Sequence, residues 1–247
     1  MSKIAIIIPS RIGSTRLLRK PLIDIEGKPM LISCAEQAKT ANIGDIYIAC
    51  DCEELADLCT MYGYNYILTD PTIATGSDRV YAASKKLSDY EIIVNLQGDM
   101  PKIKPSTIKV TVEALLKDVD KKFDIMSAIT TFNDEDEQAD VNNVSAIVSH
   151  VGIDNIAQGD VMNALYFTRT AHLYLKSIYK HIGIYVYRAA ALEKFVSLPQ
   201  SRLEIEESLE QLRALENNLR IGCIFVNDHV ISIDSPADLK RLQTIYA

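Results

Sequence analysis

The sequence predicts an α/β protein with a mostly parallel sheet and helices on both faces. Two observations support this prediction. Strand-length apolar runs alternate with helical patterns as far as residue 118, which is typical of parallel sheets built from βαβ units. The first run, residues 3–9, is continuously apolar, as expected for a strand that is covered on both faces.

Local signals define each element of this alternating part. Pro29 lies at a first-turn position of a helix, and Gly63 follows the last turn of the next one. Residues 90–96 form a buried strand that runs into the polar turn 97–101. The predicted strands are 3–9, 45–51, 64–68 and 90–96. The predicted helices are 28–42, 52–63, 76–88 and 104–118.

The pattern changes between residues 119 and 190. Several strand-like segments follow one another there, separated by acidic and polar stretches. We interpret this region as an antiparallel excursion from a single domain of residues 1–247, used as an arm that pairs two subunits. Beyond it, the sequence predicts helices at 188–198 and 202–218, a strand at 220–226 and a final helix at 235–246.

Composition restricts the class of protein. A net charge of −7 over 247 residues argues against a general nucleic-acid-binding protein, which would carry a basic face. No apolar stretch reaches the ~18–20 residues of a membrane span, and we expect neither a signal peptide nor membrane insertion. The five cysteines are odd in number, so we expect reduced thiols and a cytoplasmic protein.

A basic loop follows the first strand. Arg11, Arg16, Arg19 and Lys20 lie within ten residues, together with Ser14. Ligands of open parallel sheets bind outside the carboxyl ends of the strands, and backbone N–H groups, hydroxyls and cations in one loop suit a polyphosphate. Neither a P-loop nor a dinucleotide fingerprint is present. A solvated basic loop is the alternative interpretation.

Two aspartates are candidate metal ligands. Asp99 follows the strand at 90–96, and Asp234 precedes the final helix. Mg²⁺ takes one or two protein carboxylates and completes its shell with water and phosphate oxygens. Alternatively, Asp99 belongs to an ordinary Gly-Asp turn and Asp234 is a helix-start residue.

Taken together, the motifs resemble the 3-deoxy-manno-octulosonate cytidylyltransferase family, also called CMP-Kdo synthetases. The resemblance covers nearly the whole chain in order, through "IIIPSRIGSTRLLRKPL", "GSDRV", "IVNLQGDMP", "ALYFTR", "HIGIYVYR", "LEQLRALE" and "IDSPADL". It implies a Rossmann-like nucleotidyltransferase fold and transfer of CMP from CTP to Kdo, a sugar acid of lipopolysaccharide, with release of pyrophosphate. It also implies Mg²⁺ and a cytoplasmic homodimer.

The resemblance also implies a role for each matching residue. The implied CTP-binding residues are Arg11, Ser14, Arg16, Lys20, Ser77, Arg79 and Gln97. The implied Mg²⁺ ligands are Asp99 and Asp234, which with Arg11 and Lys20 form the implied catalytic set. The implied sugar-binding residues are Arg169, His181, Tyr185, Glu210 and Gln211.

The chain departs from the family pattern at a few positions. Leu18 and Arg19 replace a frequent Pro-Gly pair, and Met100 stands where relatives often carry an acid or an amide. These departures leave open a different acceptor, such as 8-amino-Kdo or a nonulosonic acid.

Two other classes of function remain as alternatives. A GT-A-like glycosyltransferase would need a metal-binding Asp-x-Asp, for which residues 51–53 and 134–136 are poor candidates. An inactive nucleotide-binding module would be expected to lose Asp99 or Asp234, and this chain keeps both.

Overall fold

The computed structural model describes residues 2–14, 17–149, 156–170 and 175–246. The chain divides into two units, one of Met1–Ile108 with Val230–Ala247 and the other of Lys109–His229. The strands are β1 (Ile4–Ser10), β2 (Asp24–Ile25), β3 (Lys28–Pro29), β4 (Asp45–Cys50), β5 (Asn65–Leu68), β6 (Ile92–Leu96), β7 (Ile125–Thr130), β8 (Ser145–Ser149), β9 (Val161–Thr168), β10 (Ile178–Arg188) and β11 (Ile221–Phe225). The α-helices are α1 (Met30–Ala41), α2 (Glu53–Met61), α3 (Gly76–Ser84), α4 (Pro105–Lys117), α5 (Glu135–Ala139), α6 (Ala189–Ser197), α7 (Arg202–Glu207), α8 (Gln211–Glu216) and α9 (Pro236–Tyr246).

The first unit contains the parallel sheet that the sequence predicts. Its strands lie in the order β5-β4-β1-β6, and each neighbouring pair is parallel. Strand β1 lies inside this sheet, and residues 4–8 are all buried, which explains their continuous apolar character. The carboxyl ends of β1, β4 and β6 therefore lie along one edge of the sheet.

A short hairpin precedes α1 and was not predicted. Strands β2 and β3 pair through a turn at Glu26 and Gly27, whose φ angles are 56° and 84°. Two consecutive residues with positive φ are the signature of a tight hairpin turn. Pro29 therefore ends β3 and caps α1 rather than lying within its first turn.

The C-terminal segment packs into the first unit. Ile233 and Leu242 form a buried cluster with Ile25 and Met30. The backbone N–H of Ile233 also donates to the carbonyl of Asp99 at 2.9 Å. Because Ile233 is fully buried, the position of the next residue, Asp234, is fixed by the core.

The second unit contains the predicted antiparallel strands, with one parallel pair among them. Its strands lie in the order β10-β7-β11-β9-β8, and β8 also pairs with β10, so the pairings form a closed ring. All these pairs are antiparallel except β7 with β11. The parallel pair connects the region 119–190 to the strand that follows it.

The sequence predicts one helix over residues 202–218, but the structure has two, α7 and α8. Helix α7 ends at Ser208, which has a φ of 55°, a left-handed conformation that terminates a helix. Ser201 and Glu204 form a capping box at its N-terminus. The predicted helices 52–63 and 76–88 are both present and shorter, as α2 and α3.

A buried ion pair joins these two helices. The guanidinium of Arg213 on α8 donates to both carboxylate oxygens of Glu204, at 2.8 and 2.5 Å, and both side chains are nearly inaccessible to solvent. The guanidinium carbon lies 4.7 Å from the ring centroid of Phe195. Burial alone would raise the pKa of Glu204, but the Arg213 hydrogen bonds hold it below its ordinary value.

The cysteines are free thiols, as the sequence predicts. All five are free, and four of them are buried. Cys50 ends β4 and Cys59 faces inward from α2, with their sulfur atoms 3.8 Å apart. A separate search of the described helices finds none with the length and apolar character needed to cross a bilayer.

We predict that Arg213→Leu destabilises the protein strongly. The substitution leaves the Glu204 carboxylate buried without its cation, and breaking one side of a buried pair typically costs about 3–5 kcal/mol. Urea unfolding followed by circular dichroism measures the loss.

Arg202→Leu is the matched control for this experiment. Arg202 pairs with Glu206 on the same helix, but both side chains are exposed, so solvent already screens their charges. We expect its urea midpoint to stay close to that of the wild type. Equal losses in the two variants would contradict a structural role for the Glu204–Arg213 pair.

Candidate functional site

The loop after β1 is anchored by the end of the neighbouring strand. The backbone N–H of Ile12 donates to both carboxylate oxygens of Asp51, at 3.1 Å each. Asp51 follows β4, the parallel neighbour of β1, so the anchor acts across the edge of the sheet. Arg11 is exposed beside it and Ser14 is half-buried. The predicted phosphate-binding residue Arg16 lies outside the described residues.

Arg19 has a backbone conformation that usually favours glycine. Its φ of 52° is left-handed, the region in which glycine is least strained. Its guanidinium is exposed and pairs with Glu54.

Lys20 joins the two predicted metal ligands. Its ammonium nitrogen Nζ lies 2.9 Å from Oδ2 of Asp99 and 2.7 Å from Oδ1 of Asp234. Burial alone would lower the pKa of Lys20, but the two carboxylates raise it above its ordinary value. The structure thus brings together three of the four residues of the predicted catalytic set.

Each member of this trio comes from a different segment of the first unit. Lys20 begins a 3₁₀ helix, Lys20–Leu22, Asp99 lies in the turn after β6, and Asp234 precedes α9. Ser235, rather than Asp234, caps α9: its hydroxyl accepts from the N–H of Asp238, and Asp238 accepts from its N–H in return. The carboxylate of Asp234 is therefore available to the trio.

These two carboxylates suit a magnesium ion that is held mainly by water and phosphate. Among the described residues, no cluster of three or more histidine, cysteine or acidic side chains could enclose a metal by itself. Carboxylate oxygens are the donors that Mg²⁺ prefers, and one or two of them are usual. Asp99 and Asp234 both pair with the ammonium of Lys20. The two carboxylates therefore create a local negative potential that would also attract a metal cation.

A chain of amides leads to the predicted base-binding residue Gln97. Its Nε2 donates to Oδ1 of the fully buried Asn95 at 2.8 Å, and Asn95 in turn contacts the hydroxyl of Ser77 at 3.5 Å. With Nε2 engaged in this way, Oε1 of Gln97 is left as an acceptor. The predicted residues Ser77 and Gln97 are thus connected through Asn95, which we did not predict.

Arg79 is held by its own unit. The side chain is buried, and its terminal nitrogens donate to the hydroxyl of Thr69 at 2.5 Å and to the carbonyls of Asp70 and Ile73 at 3.3 and 3.2 Å. Burial, with the nearby charge of Arg11, lowers its pKa from the ordinary arginine value. Arg79 therefore supports the loop before α3 with its terminal nitrogens.

In the second unit, Arg169 lies directly after β9. Its Nη1 donates to the carbonyls of Val141 and Asn142, at 3.1 Å each, and its backbone N–H donates to Glu207 at 3.1 Å. Glu207 also accepts from the hydroxyl of Thr168. These contacts fix the guanidinium on one side and leave Nη2 and Nε without a described protein partner.

His181 and Tyr185 lie together on β10. Their ring centroids are 5.4 Å apart. Burial lowers the pKa of His181 to about 3, so its imidazole is neutral near pH 7. Burial, then the proximity of Tyr187 and Glu210, raises the pKa of Tyr185, so its phenol keeps its proton.

Glu210 and Gln211 begin α8. Glu210 occupies the cap position and is half-buried, whereas Gln211 is the first helical residue and is buried. Glu210 and Arg169 both lie close enough to Tyr185 to influence its pKa, in opposite directions. Four of the five predicted sugar-binding residues are thus near one another, while nothing described connects Gln211 to them.

The sequence interpretation missed four residues that hold the predicted site in place. They are Asp51, Asn95, Glu207 and Ser127, the last of which contacts Nε2 of His181 through its hydroxyl. Asp51 could have been found, because it directly follows β4, the strand beside β1. Asn95 could have been noticed less easily, as a polar residue within an otherwise apolar strand. Ser127 and Glu207 carried no such signal, since their partners are remote in the sequence.

Comparison with known proteins identifies the family to which the chain belongs. Residues 5–221 match the cytidylyltransferase family. The chain is 43% identical to a 3-deoxy-manno-octulosonate cytidylyltransferase of Bradyrhizobium sp. strain BTAi1, with 98% of this chain and 97% of that protein covered. It is 42% identical to the protein of the same name from Bartonella tribocorum, with 98% of each covered.

A solved structure gives the same result. The structure of a CMP:2-keto-3-deoxy-manno-octonic acid synthetase complexed with CTP superimposes with a TM-score of 0.86 at 32% sequence identity. The match covers 99% of this chain and 98% of that one. The predicted Rossmann-like nucleotidyltransferase fold is confirmed by this similarity.

Proposed function

The chain belongs to the 3-deoxy-manno-octulosonate cytidylyltransferase family, and on that premise we propose that it transfers CMP from CTP to Kdo. The anomeric hydroxyl of the sugar acid attacks the α-phosphorus of CTP, the bond to the β-phosphate breaks, and pyrophosphate leaves. The observation that carries the proposal, in a chain of this family, is the convergence of Asp99 and Asp234 on the ammonium of Lys20.

The first unit supplies the charges for the triphosphate. Phosphoryl-type transfer depends mainly on positioning and on neutralising the phosphate oxygens. The Lys20 ammonium donates one proton to each aspartate, which leaves its third N–H to donate to a phosphate oxygen. Arg11, Ser14 and Arg16 act from the loop that Asp51 anchors.

Magnesium would be held by Asp99 and Asp234. When bound, it supplies positive charge that stabilises the negative charge of the phosphates and of the departing pyrophosphate. The role of the protein is to keep the two carboxylates close together. Lys20 does this by offsetting the repulsion between them.

Gln97 is proposed to select the base. Its free Oε1 accepts from the exocyclic amino group of cytosine, whereas uracil presents an acceptor at that position. A buried mismatch of two acceptors is strongly unfavourable. Because Arg79 is engaged with Thr69, Asp70 and Ile73, we assign it to shaping this pocket rather than to contacting the base with its terminal nitrogens.

The second unit is proposed to bind the sugar acid. The free nitrogens of Arg169 bind the carboxylate, and Tyr185 donates to a hydroxyl. A neutral His181 with a pKa of about 3 is a poor general base at pH 7, so its proposed role is a hydrogen bond to the sugar. Glu210 is the fourth residue that we propose to contact the sugar.

Kdo is favoured over 8-amino-Kdo by the surroundings of α7. Acidic side chains near the far end of the sugar would attract an ammonium group. Of the four acidic residues between 204 and 210, Glu204 and Glu206 are neutralised by Arg213 and Arg202. Glu207 accepts a hydrogen bond from Thr168, and Glu210 belongs to the proposed sugar site. Met100 is fully buried, so this departure from the family alters the core instead of the charge around a ligand.

We further propose a cytoplasmic homodimer that pairs through the region 119–190. Strand β9 supports this proposal because its exposed face carries Val161 and Leu165, which are 39% and 54% exposed. Two large apolar side chains on one exposed strand face are typical of an interface.

Purified protein with CTP, Kdo and Mg²⁺ should release pyrophosphate in equal amount to the CMP-sugar formed. UTP should react at least about 10²-fold more slowly by kcat/KM, because Gln97 rejects its base. A coupled pyrophosphate assay measures both rates.

In competition, Kdo should be consumed before 8-amino-Kdo. No turnover with any sugar acid would refute the proposed function, and preference for the amino sugar would change the acceptor alone.

Asp99→Asn should reduce kcat by at least about 10²-fold, as expected for the loss of one preorganised charge at the reacting phosphates. Increasing the concentration of Mg²⁺ should not restore the rate. The same assay measures this effect.

Asp57→Asn provides the matched control, because Asp57 is an exposed aspartate on α2. We expect wild-type kcat for it and wild-type circular dichroism for both variants. Full activity of Asp99→Asn would exclude the proposed metal ligand.

Leu165→Glu should shift the protein from dimer to monomer in sedimentation velocity, because it places a charge in the proposed interface. Ile205→Glu is the control, since Ile205 is similarly exposed but lies on α7. A wild-type protein that stays monomeric at every concentration would refute the dimer.

A further inference from the structure

We infer that Ser127 is a positioning residue that fixes the tautomer of His181 and holds the bulge that carries Tyr185. Ser127 lies on β7, and the sequence motifs of the family site do not include it. The part of this inference that concerns the sugar rests on the proposed function. The part that concerns the tautomer rests on the protein alone.

The hydroxyl of Ser127 has three neighbours. Its Oγ lies 2.7 Å from Nε2 of His181, 2.8 Å from the carbonyl oxygen of Ile184 and 3.3 Å from that of Ile182. A hydroxyl has one proton to donate, and carbonyl oxygens only accept. If the proton goes to the carbonyl of Ile184, the hydroxyl oxygen can also accept from Nε2–H of His181, which gives two hydrogen bonds. If it goes to Nε2 instead, only one hydrogen bond forms, so the first arrangement is favoured.

This fixes the neutral imidazole in one form. With the proton on Nε2, Nδ1 carries a lone pair and acts as an acceptor. No group of the described residues donates to Nδ1. The side chain is otherwise enclosed, with the ring of Phe167 at 5.0 Å and that of Tyr185 at 5.4 Å between centroids. We assign Nδ1 to a hydroxyl of the sugar acid.

The same hydroxyl stabilises an irregularity in β10. The register with β7 moves from Ile182 opposite Ala128 to Tyr185 opposite Ser127. Residues 183–184 are therefore extra, and bulges of this kind redirect the neighbouring side chains. The carbonyls that Ser127 contacts, those of Ile182 and Ile184, belong to this bulge. Ser127 thus orients both His181 and Tyr185.

The decisive variant is Ser127→Ala, which removes one hydroxyl from a buried position. We expect the KM for Kdo to rise about tenfold, the effect of about one hydrogen bond, with the KM for CTP unchanged. A defect in folding would not separate the two substrates. Ser127→Thr keeps the hydroxyl and should restore much of the sugar KM.

Thr130→Val is the matched control. Thr130 lies on the same strand, and its hydroxyl is buried without a hydrogen-bond partner among the described residues. Its removal should leave the tautomer of His181 and both KM values unchanged. An equal effect of both variants would overturn the specific role of Ser127.

Long-range ¹H–¹⁵N NMR of the imidazoles tests the tautomer without any substrate. The chain has four histidines, and His181→Asn identifies the signal of His181. Wild-type protein should show proton on Nε2, and Ser127→Ala should show a mixture. Proton on Nδ1 in the wild type would overturn the inference, even if Ser127→Ala failed to fold. A correct tautomer in a protein without cytidylyltransferase activity would instead place the failure in the proposed function.

Discussion

The proposed nucleotide site depends on the ion pairs that the ammonium of Lys20 makes with two aspartates. The ammonium lies between Asp99 and Asp234, which are 79 and 214 residues away in the sequence. Two carboxylates that contact the same ammonium would repel each other without that cation. The backbone hydrogen bond from Ile233 to Asp99, made inside a buried apolar cluster, holds the same segments together. Charge and core packing thus impose one geometry.

A second set of residues holds the predicted site residues in place. Asp51 anchors the loop after β1, Asn95 orients Gln97, Glu207 holds the backbone of Arg169, and Ser127 contacts His181. None of these four carries the chemistry itself. Each uses a hydrogen bond to remove a conformational freedom that a substrate would otherwise have to restrict, which is how a site becomes preorganised for its transition state.

Sequence patterns predicted an element correctly where its local residue pattern determines the structure. They failed where contacts between residues that are remote in the sequence determine it. The alternation as far as residue 118 predicted strands β1, β4, β5 and β6 and helices α1 to α4, but not the β2–β3 hairpin. The pattern at 202–218 was helical throughout, but the capping box at Ser201 and the left-handed Ser208 divide it. The acidic residues 134–136 have the composition of a solvated loop, yet the neighbouring Glu137 turns inward to pair with Lys180 at 2.8 Å.

The sequence by itself determined the class of fold, the strand ends where polar residues collect, and the residues that match the family. Periodicity and residue type are local properties, so they survive without knowledge of the contacts. The tertiary structure decided that Asp234 serves Lys20 while Ser235 caps the helix, that Arg79 supports its own loop, and that Ser127 faces His181. These outcomes depend on strand register and on packing between remote segments, and no local pattern encodes either.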